Sequence, residues 1–230
     1  MGKTILVVGF GPGISSAVAE KFGSSGFSVA LVARSEEKLA AGVAELKAKG
    51  IEAAAFAADA GDPTSIRGAV AKARAALGPI AAVHWNAYGG LDAGDLLTAD
   101  AAATRGVFEV AIVGLLATVQ EALPDLKAAK DGAVLVTNGA FGDVSPQIDE
   151  FAVSMKYMGL AVGNAAKHKL VGLLAARLKG EGVHVGEVVV AGSIKGTAWD
   201  QGNATIEAST VANKFWELYE GRSEVRARIS

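Results

Sequence analysis

Short apolar runs rich in β-branched residues alternate along this chain with stretches of helical periodicity. Residues 4–8, 28–33, 52–58, 80–85, 133–137, 183–190 and 224–229 read as strands, and amphipathic patterns fill the intervals. The clearest helix is 35–49, with Ser35 at its N-cap, Glu36 and Glu37 in its first turn and Gly50 after its end. Repeated strand-helix alternation calls for a parallel sheet covered on both faces. The expectation is therefore an α/β, doubly wound fold with about seven strands in a central parallel sheet. Two helical stretches, 101–126 and 158–178, are apolar on more than one face. Such a stretch either packs between the sheet and a second subunit, giving a homodimer or homotetramer, or is a well-buried helix of one subunit.

The first strand runs straight into Gly9-Phe10-Gly11-Pro12-Gly13-Ile14, and a helix-periodic stretch, 15–23, follows at once. Glycines let the backbone approach a pyrophosphate closely, and a helix N-terminus offers free N–H groups and the positive end of its dipole. Glycines also serve ordinary tight turns. The position between an apolar strand and a helix is what points to a dinucleotide.

Composition narrows the partners. At 230 residues, with no shift in composition, one domain over 1–230 is expected. With 22 Lys+Arg against 24 Asp+Glu, the net charge of -2 gives no electrostatic case for nucleic acid or an acidic membrane, so small molecules are the expected ligands. There are no cysteines, and His84, His168 and His184 lack metal-ligand spacing, so no metal is expected. The first strand starts within a few residues of Met1, and apolar runs break before the roughly 20 residues a bilayer span needs. A cytoplasmic location and no membrane follow as expectations.

At the end of the second strand, Ala33-Arg34 lacks an acid to accept from a ribose 2′-hydroxyl, and a guanidinium there suits a 2′-phosphate. The plain alternative is a surface arginine at a strand end. With the glycine turn and several later segments taken together, the chain resembles the short-chain dehydrogenase/reductase family over nearly its whole length. The turn is similar to that family's Gly-x-x-x-Gly-x-Gly pattern through Gly9, Gly13 and Ile14, with Gly11 inside it and Ser15 in place of the third glycine. The resemblance implies a single Rossmann-type domain that binds NADP, or NAD, and transfers hydride to or from a small-molecule substrate. It further implies that Arg34 meets the 2′-phosphate, although Pro12 stands where many NADP-using relatives carry a second basic residue. Asp59 and Ala60 would contact adenine. Asn86 and Ala87, flanked by Trp85 and Tyr88 rather than the usual residues, would line the cofactor. Ile194 would contact the carboxamide and Thr197 the diphosphate.

Lys167 lies in Asn164-Ala165-Ala166-Lys167-His168-Lys169-Leu170-Val171-Gly172-Leu173, which resembles the family's active-site helix. The family's lysine holds the nicotinamide ribose and lowers the pKa of a catalytic tyrosine. That tyrosine should stand four residues earlier, on the same helix face, where this chain has Gly163. The expected serine falls at Asn138 and the expected asparagine at Ala111. Tyr88 and Tyr157 are the candidate proton donors. If all of 157–167 is helical, Tyr157 stands roughly 15 Å from Lys167 along the axis; if part is loop, Tyr157 can fold back over the nicotinamide. Gly163 either leaves space beside the cofactor or precedes a helix that begins just after it. The expected activity is an NAD(P)-dependent oxidoreductase acting on a carbonyl or alcohol with non-standard proton transfer. The alternatives are an NADP-binding regulatory or redox-sensing protein without turnover, and a non-redox use of the fold.

Overall fold

The computed structural model describes residues 2–230. All seven expected runs are strands: β1 (Lys3–Val8), β2 (Phe27–Ala33), β3 (Ala53–Ala57), β4 (Ile80–Trp85), β5 (Ala133–Gly139), β6 (His184–Val190) and β7 (Arg226–Ile229). They form one parallel sheet in the order β3-β2-β1-β4-β5-β6-β7. The chain winds outward one way from β1 and the other way from β4, so a crevice opens where the carboxyl ends of these two strands diverge. β5 is longer than the sequence suggests. Pairing with β6 continues through Asn138↔Val189 and Gly139↔Val190, which draws Asn138 into the sheet.

Successive side chains of a strand point to opposite faces, and β1 divides its residues accordingly. Ile5 and Val7 join Phe22, Leu31 and Phe215 on the face covered by α1 (Ile14–Ser24), α2 (Glu36–Ala48) and α8 (Ala208–Gly221). Leu6 and Val8 join Ile66, Trp85, Leu115 and Val171 on the face covered by α3 (Pro63–Leu77) and by two later helices. The first of these is a composite: α4 (Ala101–Phe108), a π-helical segment (Glu109–Gly114) and α5 (Leu115–Ala128) run on without a break. Wide π turns relieve a local conflict in an otherwise α-helical path. Here the conflict is the loop after β3, since a Cβ at Gly114 would overlap Ala60 O.

By length and composition this composite helix, Ala101–Ala128, could cross a membrane, which corrects the expectation that no apolar run is long enough. Pro124 and the π turn are both accommodated inside the helix, which runs on to Ala128. Its Ala111, Leu115, Ala117, Val119, Ala122 and Leu126 are buried in the protein core.

After β5 a short 3-10 turn (Ala140–Gly142) leads to α6 (Pro146–Ser154), whose N-cap Ser145 Oγ accepts from the Ile148 N–H at 3.3 Å. α7 (Met158–Leu178) follows as one helix, with Tyr157 at its N-cap and Gly163 in its interior. The helix thus begins before Gly163, not after it.

Candidate functional site

The glycine turn sits at the divergence of β1 and β4. Gly9 has φ 81, and a Cβ there would lie 2.5 Å from Ala87 N. Only glycine permits both that dihedral and that approach. Asn86 donates from its backbone to Val8 O at 2.8 Å and from Nδ2 to Gly9 O at 3.4 Å, so the two strand ends are tied together. Gly13 has φ 94, and a Cβ there would stand 2.6 Å from Thr197 Cγ2. Thr197 in turn donates from Oγ1 to Ile194 O at 2.8 Å. Gly9, Gly13, Asn86, Ala87, Ile194 and Thr197 are therefore brought to one place.

Ser15 Oγ bridges Gly11, accepting from its N–H and donating to its carbonyl, each at 3.0 Å. It does the packing work of a small residue and fastens the turn as well. No side chain caps the N-terminus of α1, which starts at Ile14, and Gly11 has open space where a Cβ would project. Arg34 is exposed directly after β2 and forms no ion pair among the described residues. Asp59 is exposed after β3; its Oδ1 accepts from the Gly61 N–H at 2.9 Å, and Ala60 backs onto the π segment at Gly114.

The second group of predicted residues lies beneath and beside α7. Lys167 is 3% exposed. Burial pushes its amine down from the ordinary 10.5 to about 8, against the opposing pull of Glu187. Gly163 faces the composite helix: a Cβ there would meet Val107 Cγ1 at 3.1 Å and Ala111 Cβ at 3.6 Å. The glycine thus serves close packing of two helices, a role neither sequence reading included. Asn138 is buried, donating from Nδ2 to Asn164 O at 3.0 Å and to Glu187 Oε1 at 2.7 Å, while its Oδ1 accepts from the Gly139 N–H at 3.1 Å. Its amide is fully engaged with protein.

Tyr157 and Lys167 are carried on one unbroken helix, so they stand roughly 15 Å apart along its axis. Tyr157 instead joins an aromatic wall. Its ring centroid lies 5.5 Å from that of Phe141 and 5.7 Å from that of Trp199, and Trp199 lies 6.0 Å from half-exposed Tyr88. Glu187 belongs to this region and was overlooked in the sequence. The available signal was a lone acid inside the apolar run 183–190, since a charge in a buried strand needs partners.

The family model for short chain dehydrogenases matches residues 3–205. The chain belongs to the short-chain dehydrogenase family. A short chain dehydrogenase of Pseudocercospora fijiensis is 32% identical over 184 residues, a match covering 79% of this chain and 57% of that protein. The chain thus spans little more than half the length of this curated relative. The solved structure of a short chain dehydrogenase from Burkholderia cenocepacia, in complex with NADP, is 25% identical with a TM-score of 0.81, covering all of this chain and 97% of the other. L-sorbose reductase from Gluconobacter frateurii, complexed with NADPH and L-sorbose, shares the fold at 19% identity and a TM-score of 0.86, covering 100% of this chain and 95% of that one.

The turn of this short-chain dehydrogenase fits a dinucleotide. Gly11 leaves a lane beside an uncapped helix N-terminus, which suits a pyrophosphate, and the exposed Arg34 stands at the end of the neighbouring strand. Among the described residues there is no group of three His, Asp or Glu side chains placed to hold a metal ion.

Proposed function

We propose that this chain is an NADP-dependent oxidoreductase that interconverts a carbonyl and an alcohol on a small molecule. The observation that carries the reading is Arg34, an exposed guanidinium with no ionic partner among the described residues, at the end of β2 next to the glycine turn. A planar fork of donors there is matched to a 2′-phosphate. The same cradle takes NAD more weakly. Gly9, Gly11, Gly13 and Ile14 present backbone to the pyrophosphate, Asp59 and Ala60 border the adenine, and Asn86, Ala87, Ile194 and Thr197 border the nicotinamide half. The bound nicotinamide supplies or accepts the hydride.

Lys167 holds the proton at its Nζ. Burial makes that ammonium a stronger acid than a surface lysine, and Gly163 leaves no tyrosine on its helix face to do the work instead. Tyr88 and Tyr157 line the substrate side through Trp199, and Asn138 positions β5 against α7. Exposed Phe108 and Val113 on the composite helix, with Val162 and Leu173 on α7, support a homo-oligomer. The same reading puts the protein in the cytoplasm, with its soluble nicotinamide pool.

Fluorescence titration of NADPH and NADH against wild type and Arg34→Ala tests the cofactor. Loss of a charge-assisted contact should weaken NADPH by roughly tenfold to a hundredfold and leave NADH nearly unchanged. Equal losses for both would refute the phosphate assignment. Turnover is read from the absorbance of reduced nicotinamide with a panel of aldehydes, ketones and quinones. Tight NADPH binding with no consumption across the panel would favour a regulatory protein.

A further inference from the structure

Glu187 is 0% exposed in the middle of β6. Its Oε1 accepts from Asn138 Nδ2 on β5 at 2.7 Å. Its Oε2 lies 2.9 Å from Arg226 Nε on β7 and 2.9 Å from His168 Nδ1 on α7. Lys167, the next residue along α7, is almost as deeply buried and has no hydrogen bond or ion pair among the described residues. An isolated buried ammonium sheds its proton unless a counter-charge is near. Nothing in the sheet itself calls for an acid at this position, because the flanking Val185, Gly186, Val188 and Val189 would pack without one.

We propose that Glu187 is a positioning residue for Lys167, supplying from the strand below the negative charge that keeps the buried ammonium in place beside the cofactor. This rests on the reading that Lys167 serves the cofactor cleft. The network around it has an order. Asn138 and Arg226 fix the two carboxylate oxygens, so the charge is held still under α7. Arg226 is 40% exposed in its side chain and reaches Glu187 from the sheet edge, where water screens it. Lys167 is 3% exposed and directly precedes His168, which touches Glu187, so water screens its interaction with the carboxylate far less. The charged and titratable groups that face the pair are Arg226 from β7 and His168 from α7 itself; the Arg228–Asp143 pair closes the same sheet edge outside them.

The experiment follows NADPH binding from pH 6 to 9.5 by fluorescence in wild type, Lys167→Met, Glu187→Gln and His168→Gln. Wild-type affinity should fall as pH passes about 8, Lys167→Met should show no such break, and His168→Gln should keep it. Glu187→Gln should move the break down by at least one pH unit, which makes binding about threefold weaker at pH 7.5. A break at the same pH in Glu187→Gln and wild type would overturn the proposal, as would a break that His168→Gln abolishes. The unliganded protein gives an independent readout: the pH at which the stability difference between Lys167→Met and the lysine-bearing chain begins to shrink should be lower in the Glu187→Gln background. If NADPH binds none of these proteins, the cofactor reading fails while this second readout still judges Glu187. Should Glu187→Gln not fold, Arg226→Gln removes a competing cation from the exposed edge. It should raise the break, and an unmoved break would overturn the proposal.

Discussion

Replacing Lys167 by methionine keeps the apolar stem and removes the buried charge. The ammonium is held at about 8 rather than the ordinary 10.5, so the native state disfavours the charged form by about 3 kcal/mol relative to the unfolded chain. Between these two values the unfolded lysine binds a proton that the folded lysine has released. Wild-type stability therefore rises with pH across that window, at about 1.4 kcal/mol per pH unit, and the penalty is fully present below about 8. Lys167→Met should accordingly be more stable than wild type by about 3 kcal/mol at pH 7, with the difference shrinking towards zero near pH 10.5. Urea denaturation of both proteins at several pH values measures this directly, since other titrating groups cancel in the difference. A constant difference across pH, or a less stable mutant at pH 7, would refute the assignment of a strained buried ammonium. A more stable but inactive variant would show that the lysine is kept for function at a cost in stability.

Two further outcomes follow from buried groups outside the cleft. His84 is fully buried on β4, with Nε2 3.0 Å from Thr137 Oγ1 and its ring against Phe215, and burial pushes it down to about 3. The unfolded histidine gains a proton below its ordinary 6.5 and the folded one does not, so stability is lost as pH falls from 6.5 towards 3. His84→Leu should flatten that acid limb by up to about 1.4 kcal/mol per pH unit, read from denaturation midpoints at pH 7 and pH 4; an unchanged limb would clear His84 of the effect. Gly114→Ala puts a methyl group into the Ala60 carbonyl, which is backbone and cannot swing aside. It should destabilise the fold by about 3 kcal/mol or more, and a melting temperature within a degree or two of wild type would show that the composite helix can shift.

The sheet was legible because strands buried on both faces, such as β1, β2 and β4, read as short β-branched runs between turn residues. Strand ends were less so. β5 runs on to Gly139 because β6 offers it partners, and no local signal in Val136-Thr137-Asn138-Gly139 reports that. The π segment was hidden for a similar reason, since Gly114 answers to a carbonyl in the loop after β3, far away in the chain. The glycine turn and Arg34 could be found because each lies next to the strand end that defines it, and Lys167, in the middle of α7, because the residues around it resemble the family's active-site helix. Glu187 could not be interpreted that way: its partners come from β5, β7 and α7, and only the assembled sheet sets them around one carboxylate.

Gly163 and Ala111 show how this chain packs the helix face on which the family resemblance puts a tyrosine. A tyrosine at 163 would project toward Val107 and Ala111, where the composite helix now sits in contact range of a single added methyl group. Ala111 removes the polar side chain expected on the opposing helix, so the two losses are complementary: each small residue makes room for the other helix. Restoring tyrosine alone would therefore collide with α4 before it could reach a substrate, and restoring asparagine at 111 alone would bury an amide against Gly163. The polar groups that reach this turn of α7 come from the sheet: Asn138 on β5 donates to Asn164 O and to Glu187 on β6, and Glu187 lies against His168, the residue after Lys167. In the proposed site Lys167 handles the proton and the acid of β6 supplies its counter-charge, so Lys167→Met and Glu187→Gln should each alter the pH dependence of NADPH binding.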